Sequence, residues 1–314
     1  MSETPAHTEL PAENTSVLPA EPTPGNEDVI EGETHALEWH APVLVRIDEH
    51  TTIPHLLAKR VQRAPRRPLI ARKLEMGSTW QNMTAAEFYE DVQTTAAGLI
   101  GLGLNYGDAI AIMSRTRYEW TLLDFAAWTA GLLPVPIYET SSGEQIEYII
   151  KDADVRAVVT ETVTQRELAL DACHRLGRDD ITVLSLDAEA MQTIRDAGIT
   201  VSRASVAART QALTTDTLAT IVYTSGTTGR PKGTEITHGN FTELALNSHA
   251  WMPEIAMGQD SRLLLFLPLA HVFARFLQVF QLSGEGILGH TPDIKNLLSD
   301  LATFKPSYLL VVPR

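Results

Sequence analysis

The stretch YTSGTTGRPKG, residues 223–233, concentrates groups that can hold a phosphate. Its three glycines let backbone amides come close to an anion, and four Ser and Thr hydroxyls can donate hydrogen bonds to it. Lys232 adds a positive point charge. Ordering a loop of this composition without a partner would cost much conformational entropy. The stretch therefore predicts a phosphate-binding loop in preference to a surface hairpin without a ligand.

Two well-known nucleotide motifs do not fit this chain. A Walker A loop, G-x-x-x-x-G-K-[ST], requires a glycine at its sixth position. Counted from Gly226 that position is Pro231, and counted from Gly229 it is Thr234. The dinucleotide fingerprint G-x-G-x-x-G is absent, because the next glycine after Gly101-Leu102-Gly103 comes one residue too late. A P-loop phosphotransferase is therefore the weakest of the readings that remain open.

The sequence around the loop indicates a strand on each side. Residues 219–222 (ATIV) form an apolar run before it, and residues 234–237 (TEIT) have strand-like composition after it. Pro231 cannot lie inside a helix, so a helix is expected to begin only near Asn240. In P-loop enzymes, by contrast, a helix follows the loop directly and its N-terminus binds the phosphate.

Residues 223–233 resemble the phosphate-binding signature of the adenylate-forming (AMP-binding) superfamily at nearly every position. Residues 266–275 (FLPLAHVFAR) are similar to a segment of its long-chain fatty acid–CoA ligases. Residues 304–314 (FKPSYLLVVPR) and 137–142 (IYETSS) resemble two further segments of the same branch. The resemblance runs from about residue 50 to the end of the chain and corresponds to the front half of a family member.

This resemblance implies an enzyme that activates a fatty acid with ATP. The carboxylate attacks the α-phosphorus to give acyl-AMP and pyrophosphate, and the thiol of coenzyme A (CoA) then displaces AMP to form a thioester. The glycine-rich loop, together with Mg²⁺, holds the β- and γ-phosphates and neutralises their charge. Carried over residue by residue, this binding role falls to Thr224, Ser225, Gly226, Thr227, Thr228, Gly229 and Lys232.

His271, in the LPLAH segment, is the catalytic residue that the resemblance implies, near the junction of the acyl group and the adenylate. The loop hydroxyls are candidates for the coordination shell of Mg²⁺, which prefers oxygen ligands and keeps several waters. None of the ten histidines shows metal-ligand spacing.

Several parts of the family's active site have no counterpart in this chain. Family members bind adenine and ribose, and complete adenylation, with segments that lie beyond the region matched here. The chain also stops directly after an apolar, strand-like run, which predicts a truncation. We therefore expect an N-terminal portion that is inactive by itself. A ligase for another carboxylic acid, or a non-catalytic acyl- or nucleotide-binding module, stays open as an alternative.

Alternating strand-like and helical segments predict an α/β fold with helix-flanked, largely parallel sheets. The prolines at residues 133–138 (LPVPIY) indicate an edge strand. Predicted strands lie at residues 109–113, 133–138, 157–159, 181–184, 261–267 and 308–312. Predicted helices lie at residues 53–61, 118–130, 272–282 and 293–304, and another carries the apolar stripe Ile146, Ile149 and Ile150.

Charge and composition divide the chain into two predicted regions. Residues 1–42, rich in Pro, Glu, Thr and Ala, are predicted to be a disordered acidic tail, and residues 43–314 to form the domain. The first 45 residues carry nine acidic side chains and no Lys or Arg, which leaves only −5 of the net charge of −14 for the rest. This balance argues against a nucleic-acid partner.

The sequence also predicts a cytoplasmic protein, with peripheral membrane contact left open. No apolar run has the length of a membrane span, and the N-terminus lacks the pattern of a signal peptide. The single cysteine, Cys173, cannot form an internal disulfide. With Leu168 and Leu170 it is predicted to occupy one face of a helix.

Overall fold

The structure is a computed structural model, and it describes residues 42–73, 79–224, 231–258 and 260–311. The predicted acidic tail lies outside the described residues except for Pro42, and residues 225–230 of the predicted phosphate loop and 312–314 also lie outside them. Val43–Arg314 forms a structural unit of its own.

Strands and helices alternate through most of the described chain. The strands are β1 (Pro68–Arg72), β2 (Gln81–Thr84), β3 (Ala109–Met113), β4 (Leu133–Ile137), β5 (Val155–Thr160), β6 (Thr182–Ser185), β7 (Leu218–Thr224), β8 (Lys232–Thr237), β9 (Arg262–Leu265) and β10 (Ile287–His290). The helices are α1 (Ile53–Arg63), α2 (Ala85–Gly101), α3 (Tyr118–Thr129), α4 (Gly143–Asp152), α5 (Val163–Arg175), α6 (Ala190–Ala197), α7 (Arg203–Gln211), α8 (His238–Trp251), α9 (Pro253–Ala256), α10 (Val272–Ser283) and α11 (Leu297–Phe304). A 3₁₀ turn, Ile294–Asn296, leads into α11.

One sheet contains four parallel strands in the order β4-β3-β5-β6. All five residues of β3 are buried, as expected for a parallel strand whose two faces are both covered. Strand β4 lies at the edge of this sheet, because Pro134 and Pro136 have no N–H to donate to a further strand. The predicted edge position is therefore confirmed.

A second sheet has the order β2-β1-β10-β9, in which β1, β10 and β9 are parallel and β2 is antiparallel to β1. Strands from both ends of the described chain meet here, since Ile70 lies beside Leu288. The predicted α/β fold with largely parallel sheets is thus confirmed.

Strands β7 and β8 form a separate antiparallel hairpin, so the predicted loop does join two strands. Helix α8 begins at His238, two residues before the predicted start at Asn240. The reason is a capping box: the Thr237 hydroxyl accepts from the Asn240 N–H at 3.2 Å, and the Asn240 side chain accepts from the Thr237 N–H at 3.0 Å.

Two local predictions are wrong. The segment predicted as a strand at 308–312 shows only one isolated bridge in its described part, between Tyr308 and Leu263, because no neighbouring strand pairs with the residues that follow. In α5, Leu168 and Leu170 are both 38% exposed, whereas Cys173 is buried beside Ala169 and Ala172. Residues two apart on a helix point in different directions, so the two leucines cannot share one face with Cys173.

Candidate active site

Thr224 and Lys232 stand directly opposite each other where β7 ends and β8 begins. Both residues are exposed, so a hydroxyl and an ammonium group are available to a ligand at the end of the hairpin. The other predicted phosphate-binding residues, Ser225, Gly226, Thr227, Thr228 and Gly229, lie outside the described residues. The structure thus brings together the two predicted site residues of the loop that it describes.

The outer positions of the motif, Tyr223 and Gly233, hold the hairpin in place. The Tyr223 hydroxyl donates to Asp152 Oδ2 at 2.6 Å, and burial together with this carboxylate raises the pKa of the phenol well above its ordinary value. Gly233 lies opposite Tyr223, and a Cβ at Gly233 would come within 2.8 Å of Ile221 Cγ2 and 3.2 Å of the Tyr223 ring. A side chain at this position would therefore collide with Ile221 and crowd the Tyr223 ring, and this structural role was missed in the sequence.

Strand β7 is tied to its surroundings by side chains as well as by the hairpin. The buried Thr220 hydroxyl donates to the carbonyl oxygen of Pro134 on β4 at 2.8 Å. The indole N–H of Trp128 on α3 donates to the carbonyl oxygen of Ala219 at 2.7 Å. These bonds fix the strand that leads to Thr224.

His271 is exposed and serves as the N-cap of α10. Its Nδ1 accepts from the Phe273 N–H at 3.2 Å, so in the neutral ring the proton is on Nε2. That Nε2–H is the group His271 can present to a ligand. The turn before it is held by Thr116, which donates to the Leu267 carbonyl at 2.6 Å and accepts from the Leu269 N–H at 3.2 Å.

Among the described residues, no hydrogen bond or ion pair joins His271 to the hairpin. The connection between them is a buried polar cluster centred on Arg275, one turn along α10 from His271. Arg275 donates to the two carboxylate oxygens of Asp124 at 3.1 and 2.7 Å, and its third nitrogen donates to Thr220 Oγ1. The guanidinium carbon also lies 5.3 Å from the ring centre of Trp128. Arg275 thereby joins α10 to α3 and to β7.

The cluster continues from Asp124 to His290 at the end of β10, and its hydrogen bonds have one direction. Gln278 Nε2 donates to Asp124 at 2.6 Å, so Gln278 Oε1 accepts from the Thr121 hydroxyl at 2.9 Å. That hydroxyl has one proton, so its oxygen accepts from His290 Nε2 at 2.8 Å. Burial lowers the pKa of His290 to about 4, against the attraction of Glu119, and the ring is neutral.

A cleft of about 550 Å³, which sequence reasoning missed, opens where β1, β3, β5 and β10 end. Ligands of parallel sheets commonly bind at such carboxyl ends. The signal in the sequence is a charged residue soon after each apolar strand. However, each basic side chain of the described lining already has a partner: Lys73 pairs with Asp300, Arg115 with Glu161, Arg117 with Glu119, and Arg72 lies over the Tyr118 ring.

The described residues contain no group of three or more His, Cys, Asp or Glu side chains that could hold a metal ion. Of the loop hydroxyls, the structure describes only Thr224, and oxygen is the ligand type that Mg²⁺ prefers.

Comparison with known proteins agrees with the fold and with the hairpin motif. The sequence profile of the family described as AMP-binding enzyme matches residues 57–314. The chain belongs to this family. The motif on β7 and β8 lies within the matched range, and the α/β fold is that of the AMP-binding enzymes.

Relatives within the AMP-binding family include long-chain-fatty-acid–CoA ligase FadD15 of Mycobacterium bovis, which is 35% identical over 279 residues. The alignment covers 88% of this chain and 46% of FadD15. Long-chain-fatty-acid–CoA ligase ACSBG2 of Rattus norvegicus is 29% identical, over 87% of this chain and 44% of the relative. The chain therefore spans a little under half the length of these curated relatives.

Among solved structures, the inhibitor-bound N-terminal domain of FACL13 from Mycobacterium tuberculosis superposes with a TM-score of 0.69. The sequences are 24% identical, and the match covers 83% of this chain and 63% of that one. This likeness shows the fold. In the part of the AMP-binding chain that the structure describes, no helix is long and apolar enough to cross a membrane.

Proposed function

We propose that this chain carries the phosphate-binding half of an ATP-dependent fatty acid–CoA ligase. The observation that carries the proposal is the signature-like motif on the β7–β8 hairpin, with exposed Thr224 and Lys232 facing each other at its loop end. A hydroxyl donor and a fixed positive charge at that position suit the β- and γ-phosphates of ATP, and Mg²⁺ bound with them would neutralise the remaining charge.

A long-chain fatty acid is the proposed acid substrate, and CoA the proposed thiol. The support is the LPLAHVF segment and the names of the relatives, which are long-chain fatty acid–CoA ligases. His271 is the proposed catalytic residue, acting through the Nε2–H that its capping role leaves free. A ligase for a different carboxylic acid would show itself in a panel of acids assayed by ATP–pyrophosphate exchange with a full-length protein.

The phosphate role of the hairpin is tested by ligand binding to the 314-residue chain. If the hairpin binds the phosphate chain, then MgATP, MgGTP and magnesium tripolyphosphate should bind with similar affinity, because all three carry that chain. AMP should bind more weakly. The Lys232→Met variant should lose about tenfold in affinity for tripolyphosphate, since a hydrogen bond to a charged group contributes about 1.5 kcal/mol or more. Isothermal titration calorimetry measures both effects.

Lys59→Met is the matched control, because Lys59 is also an exposed lysine but lies on α1. Equal affinity of the wild-type chain and the Lys232→Met variant would contradict the phosphate role. Binding of palmitate without any binding of ATP would instead favour a non-catalytic acyl-binding module.

We further propose that the 314-residue chain does not complete adenylation by itself. It matches under half of each relative described above, and the hairpin addresses only the phosphates of ATP. The purified chain would be incubated with palmitate and radiolabelled MgATP. Detection of labelled palmitoyl-AMP would overturn the proposal that the chain is inactive by itself. A cytoplasmic location with contact to membranes also stays a prediction, which fractionation of cells would test.

A further inference from the structure

We propose that Arg275 and Thr220 are positioning residues, whose buried hydrogen bond sets the phosphate hairpin and His271 in a fixed relative position. This inference rests on the proposed function, because it assumes that Thr224, Lys232 and His271 act on one ligand. Neither residue needs to touch that ligand. They act through the two elements that carry the residues of the site.

Each positioning residue lies on the same strand or helix as a residue of the site. Thr220 lies on the same strand as Thr224, four residues earlier, which is about 13 Å in an extended strand. Arg275 lies one helical turn after His271, and its N–H donates to the His271 carbonyl at 3.3 Å. A shift of Arg275 relative to Thr220 would therefore be transmitted to both site segments.

The contact between Arg275 and Thr220 is buried, and its partners fix the orientation of the guanidinium group. Arg275, Thr220 and Asp124 are all at most 1% exposed, so no water can take the place of a lost partner. The planar guanidinium group uses one edge for Asp124 and a further nitrogen for Thr220, so its orientation is fixed by both partners together. These hydrogen bonds therefore constrain the placement of α10 against both α3 and β7.

Stability alone does not account for such a cluster. Replacing a buried ion pair by apolar side chains of similar volume is often neutral or stabilising, so we infer that these polar groups are retained here because they specify one arrangement. Here the arrangement specified is the one between the strand before the phosphate loop and the helix after His271. Fixing reactive groups in advance is a large part of what an active site must achieve.

The test compares two threonines of the same cluster. Thr220→Val removes the hydrogen bonds to Arg275 and to the Pro134 carbonyl, with little change in shape. Thr121→Val is the matched control: it also removes two buried hydrogen bonds, to Gln278 and His290, but Thr121 makes no hydrogen bond to β7 in the described structure. Both variants should lower the urea midpoint to a similar extent.

Only Thr220→Val is expected to reduce the affinity for magnesium tripolyphosphate, by about fivefold, which is typical of coupling through a contact outside the site. In amide NMR spectra, Thr220→Val should shift the amide resonances of both Lys232 and His271. Thr121→Val should leave the amide resonance of Lys232 unchanged. Thr220→Ser keeps the hydroxyl and should bind as the wild type does.

Equal losses of affinity in the two valine variants, or no loss in either, would overturn the proposal. If the wild type binds no tripolyphosphate, the proposed function fails, and the amide shifts still decide whether Thr220 couples the two segments. If Thr220→Val does not fold, Arg275→Lys takes its place, because an ammonium group can keep the ion pair with Asp124 without the fork that also reaches Thr220. Its amide shifts must then appear on both Lys232 and His271.

Discussion

Helix α10 is held at its two ends by arginine–carboxylate clusters of different design. Near its start, Arg275 pairs one-to-one with Asp124, and both side chains are buried. Just beyond its end, Glu285 accepts from three arginines, Arg60, Arg63 and Arg67, of which Arg63 is 45% exposed in its side chain. Asp124 has a single arginine partner, whereas Glu285 would keep two arginine partners if one were lost.

This difference matches the position of each cluster relative to the candidate site. The start of α10 carries His271 and faces the strand that leads to the phosphate hairpin, so its placement has to be unique. The end of α10 only has to stay attached to α1, and a carboxylate shared among three guanidinium groups tolerates the movement of any one of them. We infer that the one-to-one pair specifies geometry and the three-to-one cluster supplies attachment.

The largest effect is expected from Arg275→Leu, which leaves the carboxylate of Asp124 buried without its partner. Removing one member of a buried ion pair typically destabilises by about 3–5 kcal/mol, because an uncompensated charge remains in the core. Urea unfolding of the 314-residue chain, followed by circular dichroism, measures the loss. A loss below about 1 kcal/mol would contradict the one-to-one view of this pair.

The matched control for that variant is the double substitution Arg275→Leu/Asp124→Leu. Because it removes both charges together, it should recover most of the lost stability. The double variant would then be stable but would lack the hydrogen bond between Arg275 and Thr220. It would therefore show the effect of losing this contact without the effect of losing stability.

A smaller loss is expected from Glu285→Gln, because the three arginines keep a neutral acceptor and two of them, Arg63 and Arg67, are partly exposed to water. Losing the charge on hydrogen bonds of this kind should cost about 2 kcal/mol at neutral pH. Burial raises the pKa of Glu285, but the attraction of Arg60 and Arg63 outweighs it and holds the pKa below its ordinary value of 4.5.

The sign of the pH dependence follows from that lowered pKa. A carboxylate whose pKa is lower in the folded state stabilises the fold above about pH 4.5, and this contribution is lost as the pH falls below that value. The gap between the wild type and Glu285→Gln in unfolding free energy should therefore close below pH 4.5. A gap that stays constant from pH 7 to pH 3.5 would rule out the charged cluster as its source.

The sequence predicted the elements around α10 far better than the clusters that hold it. Apolar runs and a capping glycine or proline are local signals, and they located β3, α3 and α10 closely. By contrast, Arg275 and Asp124 lie 151 positions apart, and neither residue type suggests burial. The same limit applies to Tyr223, whose partner Asp152 is 71 positions away.

The wrong strand prediction at residues 308–312 has the same cause. Tyr308 and the residues after it have strand-like composition, but a strand also needs a paired neighbour, which composition does not reveal. The motif residues Thr224, Lys232 and His271 were predicted from a family pattern, and their roles remain predictions. The pattern includes Arg275 but does not reveal its buried partners Asp124 and Thr220.

The smallest effect is expected from Glu90→Gln, which weakens the ion pair of Glu90 with Arg203 across α2 and α7. The N–O distance of 2.5 Å is as short as the distances in the other clusters, but the side chains of Glu90 and Arg203 are 52% and 75% exposed. Water and salt screen an exposed pair, and each side chain loses rotamer freedom when it forms. No change in the urea midpoint beyond measurement error is expected, and a loss as large as that of Glu285→Gln would show that pairing distance matters more than burial. Because both substitutions remove one carboxylate charge in the same chemical way, the difference between them isolates the contribution of the surroundings.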